Sequence, residues 1–163
     1  MDKKLIVKEA ESWIGTRFHH QGRLKKLNKD HTGGVDCIGL VVGVARDLNL
    51  KSHKSDKTGK LLPLYKFDQV DYAREPQGQR LKAALDDFLT PIAKEDLEPG
   101  DIILFTIVKY PQHVGIVCEH PYGGLCIIHA LEVSRFVCSH ALDEKWLDRA
   151  CGFYQFRKEA FEG

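Results

Sequence analysis

Apolar residues recur at helical spacing near the start of the chain, as Leu5, Ile6, Ala10, Trp13 and Ile14. That spacing predicts a helix over 3–14, which Gly15 ends. Residues 16–35 are polar and glycine-bearing and read as a long loop. From Cys37 to Leu50 the chain is apolar almost throughout, which predicts a mostly buried helix with Asp36 as its N-cap. The run Lys51-Ser-His-Lys-Ser-Asp-Lys-Thr-Gly-Lys60 reads as a mobile polar excursion, and 51–80 as an insertion inside one domain spanning 1–163. Helical spacing resumes between Gln79 and Leu89 through Leu81, Ala84, Leu85 and Phe88.

After Pro99-Gly100 the pattern shortens to a period of two. The stretches 101–108, 113–119, 125–131, 136–139 and 151–156 are β-rich runs broken by Pro or Gly. Helices first and strands afterwards predict an α+β domain with N-terminal helices packed on an antiparallel sheet of about five strands. Alternation along 113–118 sets His113 opposite Val114, Ile116 and Cys118, and along 126–130 sets His129 opposite Cys126, Ile128 and Ala130. Both histidines are expected to point toward the helix that starts at Cys37.

With 163 residues the chain is long enough for one core. A net charge of +1 offers no electrostatic case for nucleic acid or an anionic membrane as partner. No apolar stretch approaches the roughly 20 residues that span a bilayer. The start, Met-Asp-Lys-Lys-Leu-Ile-Val-Lys, lacks the apolar centre of a secretion signal, so synthesis in the cytoplasm is expected. The five cysteines are odd in number and irregular in spacing, which argues against a disulfide framework and for a reducing compartment.

The chemistry concentrates at Gly33-Gly34-Val35-Asp36-Cys37-Ile38-Gly39-Leu40. A cysteine at a helix start meets unpaired N–H groups and the positive end of the dipole, so its thiol should ionise more easily. His113 supplies a base and His129 a group to orient that base, the general logic of nucleophile, base and orienter. The blander readings are a small buried cysteine on an apolar helix and two hydrogen-bonded strand histidines. Cys118 with His120, Cys126 with His129 and Cys138 with His140 resemble zinc-ligand pairs. Alternation separates Cys126 from His129 and sets Cys118 on one face with Val114 and Ile116, and no two cysteines are separated by two residues, so no metal or other cofactor is called for.

Several ordered blocks together resemble the NlpC family of papain-like bacterial cell-wall cysteine peptidases, in the branch encoded with phage tails and gene-transfer particles. They are Gly15-Thr-Arg-Phe-His-His-Gln-Gly-Arg23, Val35-Asp-Cys-Ile-Gly-Leu-Val41, Pro99-Gly-Asp-Ile-Ile-Leu-Phe105, Gln112-His-Val-Gly-Ile116, Ile128-His-Ala130, Leu142-Asp-Glu-Lys-Trp146 and Gly152-Phe-Tyr-Gln-Phe156. The resemblance implies a papain-like fold with Cys37 as nucleophile, His113 as general base and His129 as the third residue. It implies cleavage of peptidoglycan stem peptides between γ-D-glutamate and diaminopimelate or lysine, with Asp36 helping to hold the substrate amine. Phe18 stands where the family often has a tyrosine that assists the oxyanion, and Ile38 where it usually has serine. His20 or a backbone N–H of the 18–22 loop would then have to donate to the oxyanion.

Three functions follow as expectations. The first is a peptidoglycan hydrolase working through a thioacyl-enzyme. The second is a silent structural module of a phage tail. The third is a papain-like effector amidase or acyltransferase with another substrate. The first needs delivery to the wall by a particle, by lysis or by a secretion machine, with targeting by a partner protein, unless it recycles imported wall peptides.

Overall fold

The computed structural model describes residues 3–73 and 79–162, so Met1, Asp2, residues 74–78 of the 51–80 segment and Gly163 lie outside the described residues. Helix α1 (Lys3–Glu11) buries Ile6 and Ala10, and Trp13 is buried just beyond it, in keeping with the spacing that predicted it. The helix stops short of Ile14, and Gly15 follows with φ +93°. The loop of 16–35 is not wholly irregular: β1 (Arg23–Leu24) pairs with β2 (Gly34–Val35). Helix α2 (Cys37–Asp47) begins at Asp36 as expected, and its Leu40, Val44 and Ala45 are buried.

The polar excursion proves to be ordered. Strands β3 (Lys51–Ser55) and β4 (Leu61–Pro63) pair across a turn in which Asp56 Oδ1 accepts the N–H groups of Thr58 (2.8 Å) and Lys60 (3.1 Å). Buried Ser52 donates to Leu62 O at 2.9 Å. An Asx-type turn and this cross-strand bond hold a sequence with little apolar content. A 3₁₀ turn (Leu64–Phe67) then leads toward α3 (Arg80–Phe88).

The remaining strands form one antiparallel sheet of six, one more than the β-rich runs suggested. Strands β5 (Leu89–Pro91), β6 (Ile102–Ile107), β7 (Tyr110–Glu119), β8 (Leu125–Ala130), β9 (Val137–Ala141) and β10 (Ala150–Phe156) lie in the order β5-β10-β6-β7-β8-β9. The short helix α4 (Glu144–Leu147) lies between β9 and β10 in sequence. This is the expected α+β architecture.

The sheet has a core on each face. Val114, Ile116, Cys118, Cys126, Ile128 and Ala130 join Ile6, Leu40 and Val44 on the side of α1 and α2. Ile103, Phe105, Val117 and Ile127 join Trp146 and Phe153 on the other side. Cys118 and Cys126 are register partners on β7 and β8, 5.0 Å apart at Cα, and are joined as a disulfide. One disulfide is thus present where the cysteine count argued against a disulfide framework. Pairing was invisible along the chain because it depends on strand register, and the odd total simply leaves Cys37, Cys138 and Cys151 free. Among the described residues no helix is long and apolar enough to cross a membrane.

Helices α1 and α2 meet where Gly43 faces the Trp13 indole. A Cβ on Gly43 would stand 2.4 Å from two ring carbons. Gly43→Ala should therefore lower stability by about 1–3 kcal/mol despite alanine's better helix propensity, because the buried indole must move. Urea unfolding of the variant checks this; an unchanged or raised midpoint would mean that the contact yields freely.

Candidate active site

Asp36 sets the start of α2 and therefore the position of Cys37. Its carboxylate is buried, with Oδ1 accepting from Gly39 N (2.8 Å) and from an Arg23 Nη1 group (3.1 Å). Oδ2 accepts from Gln21 N at 2.8 Å and from the Tyr72 hydroxyl. Arg23 is held in turn by Asp68, at 2.8 Å from Nε and 3.1 Å from Nη2, and it donates to the Tyr72 oxygen at 2.9 Å. Burial opposes the Arg23 charge, but the hydrogen bonds to Asp68 and Tyr72 and the Asp36 charge outweigh it. Asp36 thus already has four donors, and a substrate amine would have to exchange with one of them.

The thiol of Cys37 meets the sheet where β7 and β8 part. Their ladder runs from Glu119↔Leu125 to Ile116↔Ile128 and stops there, whereas β7 keeps its β6 partners as far as Tyr110. Beyond the fork, Sγ makes a weak hydrogen bond to Gln112 O at 3.9 Å, and the N–H groups of Val114 and Ile38 are directed at the sulfur. The sulfur therefore touches the backbone on both sides of His113, but its hydrogen bond goes to a carbonyl and not to an imidazole.

Easier ionisation, expected from the helix start, is not what the site shows. Burial, and then the Asp36 carboxylate, push the Cys37 thiol up to about 12, against the opposing pull of the two N–H groups and Arg23. Burial likewise pushes His113 down to about 4. At rest the site holds a neutral thiol and a neutral imidazole. The helix dipole is a fraction of a unit charge, and here desolvation of the anion exceeds it.

His113 and His129 do lie on one face, with His113 Nε2 and His129 Nδ1 2.8 Å apart. That face is not the one α2 covers, which corrects the expected orientation. The two rings stand with Phe105 and Trp146, and α2 meets the fork through Cys37. Gly115 makes room for the pair, since a Cβ there would lie 2.7 Å from Ile127 carbons and 3.3 Å from His129 Cβ.

Two residues in this cluster were missed from the sequence as parts of such a site. His140 on β9 bonds His129, Nε2 to Nε2 at 2.8 Å, and its Nδ1 lies 2.9 Å from Ala141 O. Trp146 packs edge-on against His129 (centroids 4.9 Å apart) and lies 5.5 Å from His140. A period-two count could have placed His140 on a strand, but only register sets it diagonally across from His129.

The 18–22 loop has few free donors. The N–H groups of Phe18, His19, Gln21 and Gly22 go to Arg135 O, Val35 O, Asp36 Oδ2 and His19 O. That leaves His20, whose ring stands edge-on to Tyr72 at 5.6 Å. Phe18 packs against the main core. The hydroxyl that Phe18 lacks is present on Tyr72, beside Asp36 and His20, from the 51–80 segment that follows α2. Burial, and then its bond to Asp36, hold the Tyr72 hydroxyl protonated. Beside it lies an apolar cavity of about 420 Å³ between α2, the 64–67 turn and α3, lined by Ile38, Val41, Leu81 and Val114 among others.

Two outcomes are expected from these neutral groups. His113 takes up a proton on unfolding wherever pH lies between about 4 and the ordinary 6.5, so stability should fall as pH is lowered through that window, by about 3 kcal/mol at pH 4 from this residue alone. Urea titrations at several pH values should show a slope that diminishes in His113→Gln. Separately, alkylation of Cys37 by iodoacetamide in the substrate-free protein should keep accelerating up to pH 10. A plateau already reached near pH 6, read by mass spectrometry, would mean that the resting site is an ion pair instead.

The NlpC/P60 family model matches residues 15–155. Among solved structures, a lipoprotein-like NLP/P60 protein of Staphylococcus aureus is similar at 19% identity and TM-score 0.56, covering 94% of this chain and 41% of that one. The NlpC/P60 domain of the peptidoglycan hydrolase SagA gives 19% and 0.53, covering 96% and 100%. An N-acetylmuramoyl-L-alanine amidase of Bacteroides uniformis gives 15% and 0.51, covering 96% and 99%. No curated protein matches. At these identities the structures establish a common fold, and the family model, spanning all the residues just described from the 18–22 loop to Trp146, makes this chain a member of the NlpC/P60 family.

Proposed function

We propose that the chain is a cysteine peptidase that hydrolyses peptidoglycan stem peptides. One observation carries this reading: a thiol at a helix start touches the backbone on both sides of a buried imidazole that is itself hydrogen-bonded to a second imidazole. The family, and the names of two similar structures (a peptidoglycan hydrolase and a muramoyl-alanine amidase), support wall peptides as the substrate class.

His113 Nε2 is engaged by His129, so Nδ1 is the nitrogen left for the thiol. Because both groups are neutral at rest, proton transfer accompanies attack and does not precede it. The Cys37 S–H bond breaks, Nδ1 takes the proton, and sulfur bonds to the amide carbonyl carbon. The carbonyl oxygen's developing charge is met by the Cys37 N–H and by a donor on His20. Collapse breaks the C–N bond, the amine leaves with the proton from His113, and a thioacyl-enzyme remains. Water, deprotonated by His113, then releases the acyl group and restores the thiol.

The bond cut is that between γ-D-glutamate and diaminopimelate or lysine, with the Asp36–Tyr72 pair beside the substrate amine. The wall lies outside the membrane, where a disulfide such as Cys118–Cys126 persists. Delivery through a phage particle or a secretion partner completes this reading. A second reading, an amidase or acyltransferase acting on a more apolar substrate, is favoured by the cavity beside Tyr72.

Digestion of purified peptidoglycan tests the first reading. The wild type should release stem-peptide fragments whose masses identify the bond, and Cys37→Ser or His113→Ala should lower the rate by about three orders of magnitude or more. Equal release by wild type and Cys37→Ser would remove the thiol from the mechanism.

A further inference from the structure

We infer that His140 is a positioning residue: its bond to the Ala141 carbonyl sets the tautomers of three imidazoles, so that the one open ring nitrogen of the chain is His113 Nδ1. The argument follows the direction of each hydrogen bond. A carbonyl oxygen only accepts, so His140 Nδ1 must carry the hydrogen in the 2.9 Å contact with Ala141 O. In a neutral ring, His140 Nε2 is then an acceptor. The 2.8 Å contact with His129 Nε2 therefore needs the hydrogen on His129, which leaves His129 Nδ1 as an acceptor. The 2.8 Å contact with His113 Nε2 needs the hydrogen on His113 in the same way. Of the six ring nitrogens only His113 Nδ1 then has a lone pair that accepts from none of the others.

The surroundings allow no other arrangement at lower cost. His113 and His129 are buried, 6% and 0% exposed, so neither can turn a ring nitrogen toward water without losing its partner. Trp146 packs against all three rings and limits their rotation. Nor are the nitrogens spaced for a shared metal ion. Two nitrogens on one tetrahedral zinc stand about 3.3 Å apart, wider than these contacts. The half-buried His140 is the outer end of the chain and the place where its polarity is decided.

The inference rests on the reading of His113 as base, but it can be tested apart from hydrolysis. Long-range ¹H–¹⁵N spectra of the histidine rings in the full chain near pH 7.5 should show Nε2–H tautomers for His113 and His129 and the Nδ1–H tautomer for His140. His140→Leu removes the acceptor for His129, and a mixture of tautomers should then appear at His113. The same variant should lower kcat ten- to hundredfold with KM within twofold, the scale seen when a tautomer-fixing partner is lost. His140→Gln, whose amide oxygen can still accept, should restore most of kcat. Nδ1–H on His113 in the wild type, or an unchanged His113 tautomer in His140→Leu, would overturn the inference. If His140→Leu does not fold, the wild-type spectra alone decide. Thiol-dependent hydrolysis with the wrong tautomers removes this inference only, whereas the right tautomers with hydrolysis indifferent to Cys37→Ser remove the functional reading only.

Discussion

A carboxylate buried at the start of a helix must satisfy its lone pairs, and the neighbourhood of Cys37 is organised by how Asp36 does so. It caps α2 through Gly39, draws in the Gln21 backbone, and holds Arg23 and the Tyr72 hydroxyl. N-capping alone is worth about 1 kcal/mol, and the charge-assisted bonds add to it. Three separate segments are thereby gathered on one residue: the 18–22 loop, the first turn of α2 and the stretch before residue 74. Burial first, and then the same negative charge, raise the energy of a thiolate at the adjacent position, so the group that places the sulfur also helps to keep it protonated.

The sheet provides the other half of the site through unequal pairing of two strands. At one end β7 and β8 are joined by register and by the Cys118–Cys126 disulfide. At the other end they part beyond Ile116 and Ile128, and the backbone freed there is what the sulfur meets. Gly115, in the fork, leaves open the space beside Ile127 and His129 Cβ that a side chain would fill. The helix and the histidines therefore lie on opposite faces of the sheet, and the sulfur meets the β7 backbone at the fork.

The neutral thiol and the neutral imidazole bear on the proposed mechanism. Attack there needs a proton to leave sulfur as the carbon–sulfur bond forms, so a base with a single uncommitted lone pair matters more than in a preformed ion pair. The row from His113 to His140 suits that demand, because every other ring nitrogen is already engaged in a hydrogen bond.

Periodicity determined a good deal here. The spacing of Ile6, Ala10 and Trp13, the apolar run after Asp36 and the alternation from Asp101 onward each led to the right element, because burial on one face leaves a repeat in the sequence. The succession of short motifs led to the family for the same local reason, since each motif is a contiguous turn or strand end. The face on which His113 lies, the bond from His129 to His140, the disulfide, the arrival of Tyr72 at Asp36 and the protonation of Cys37 were decided only in three dimensions. All of these depend on which strands are neighbours, on their register, and on how much water burial removes, and none of those quantities has a period along the chain.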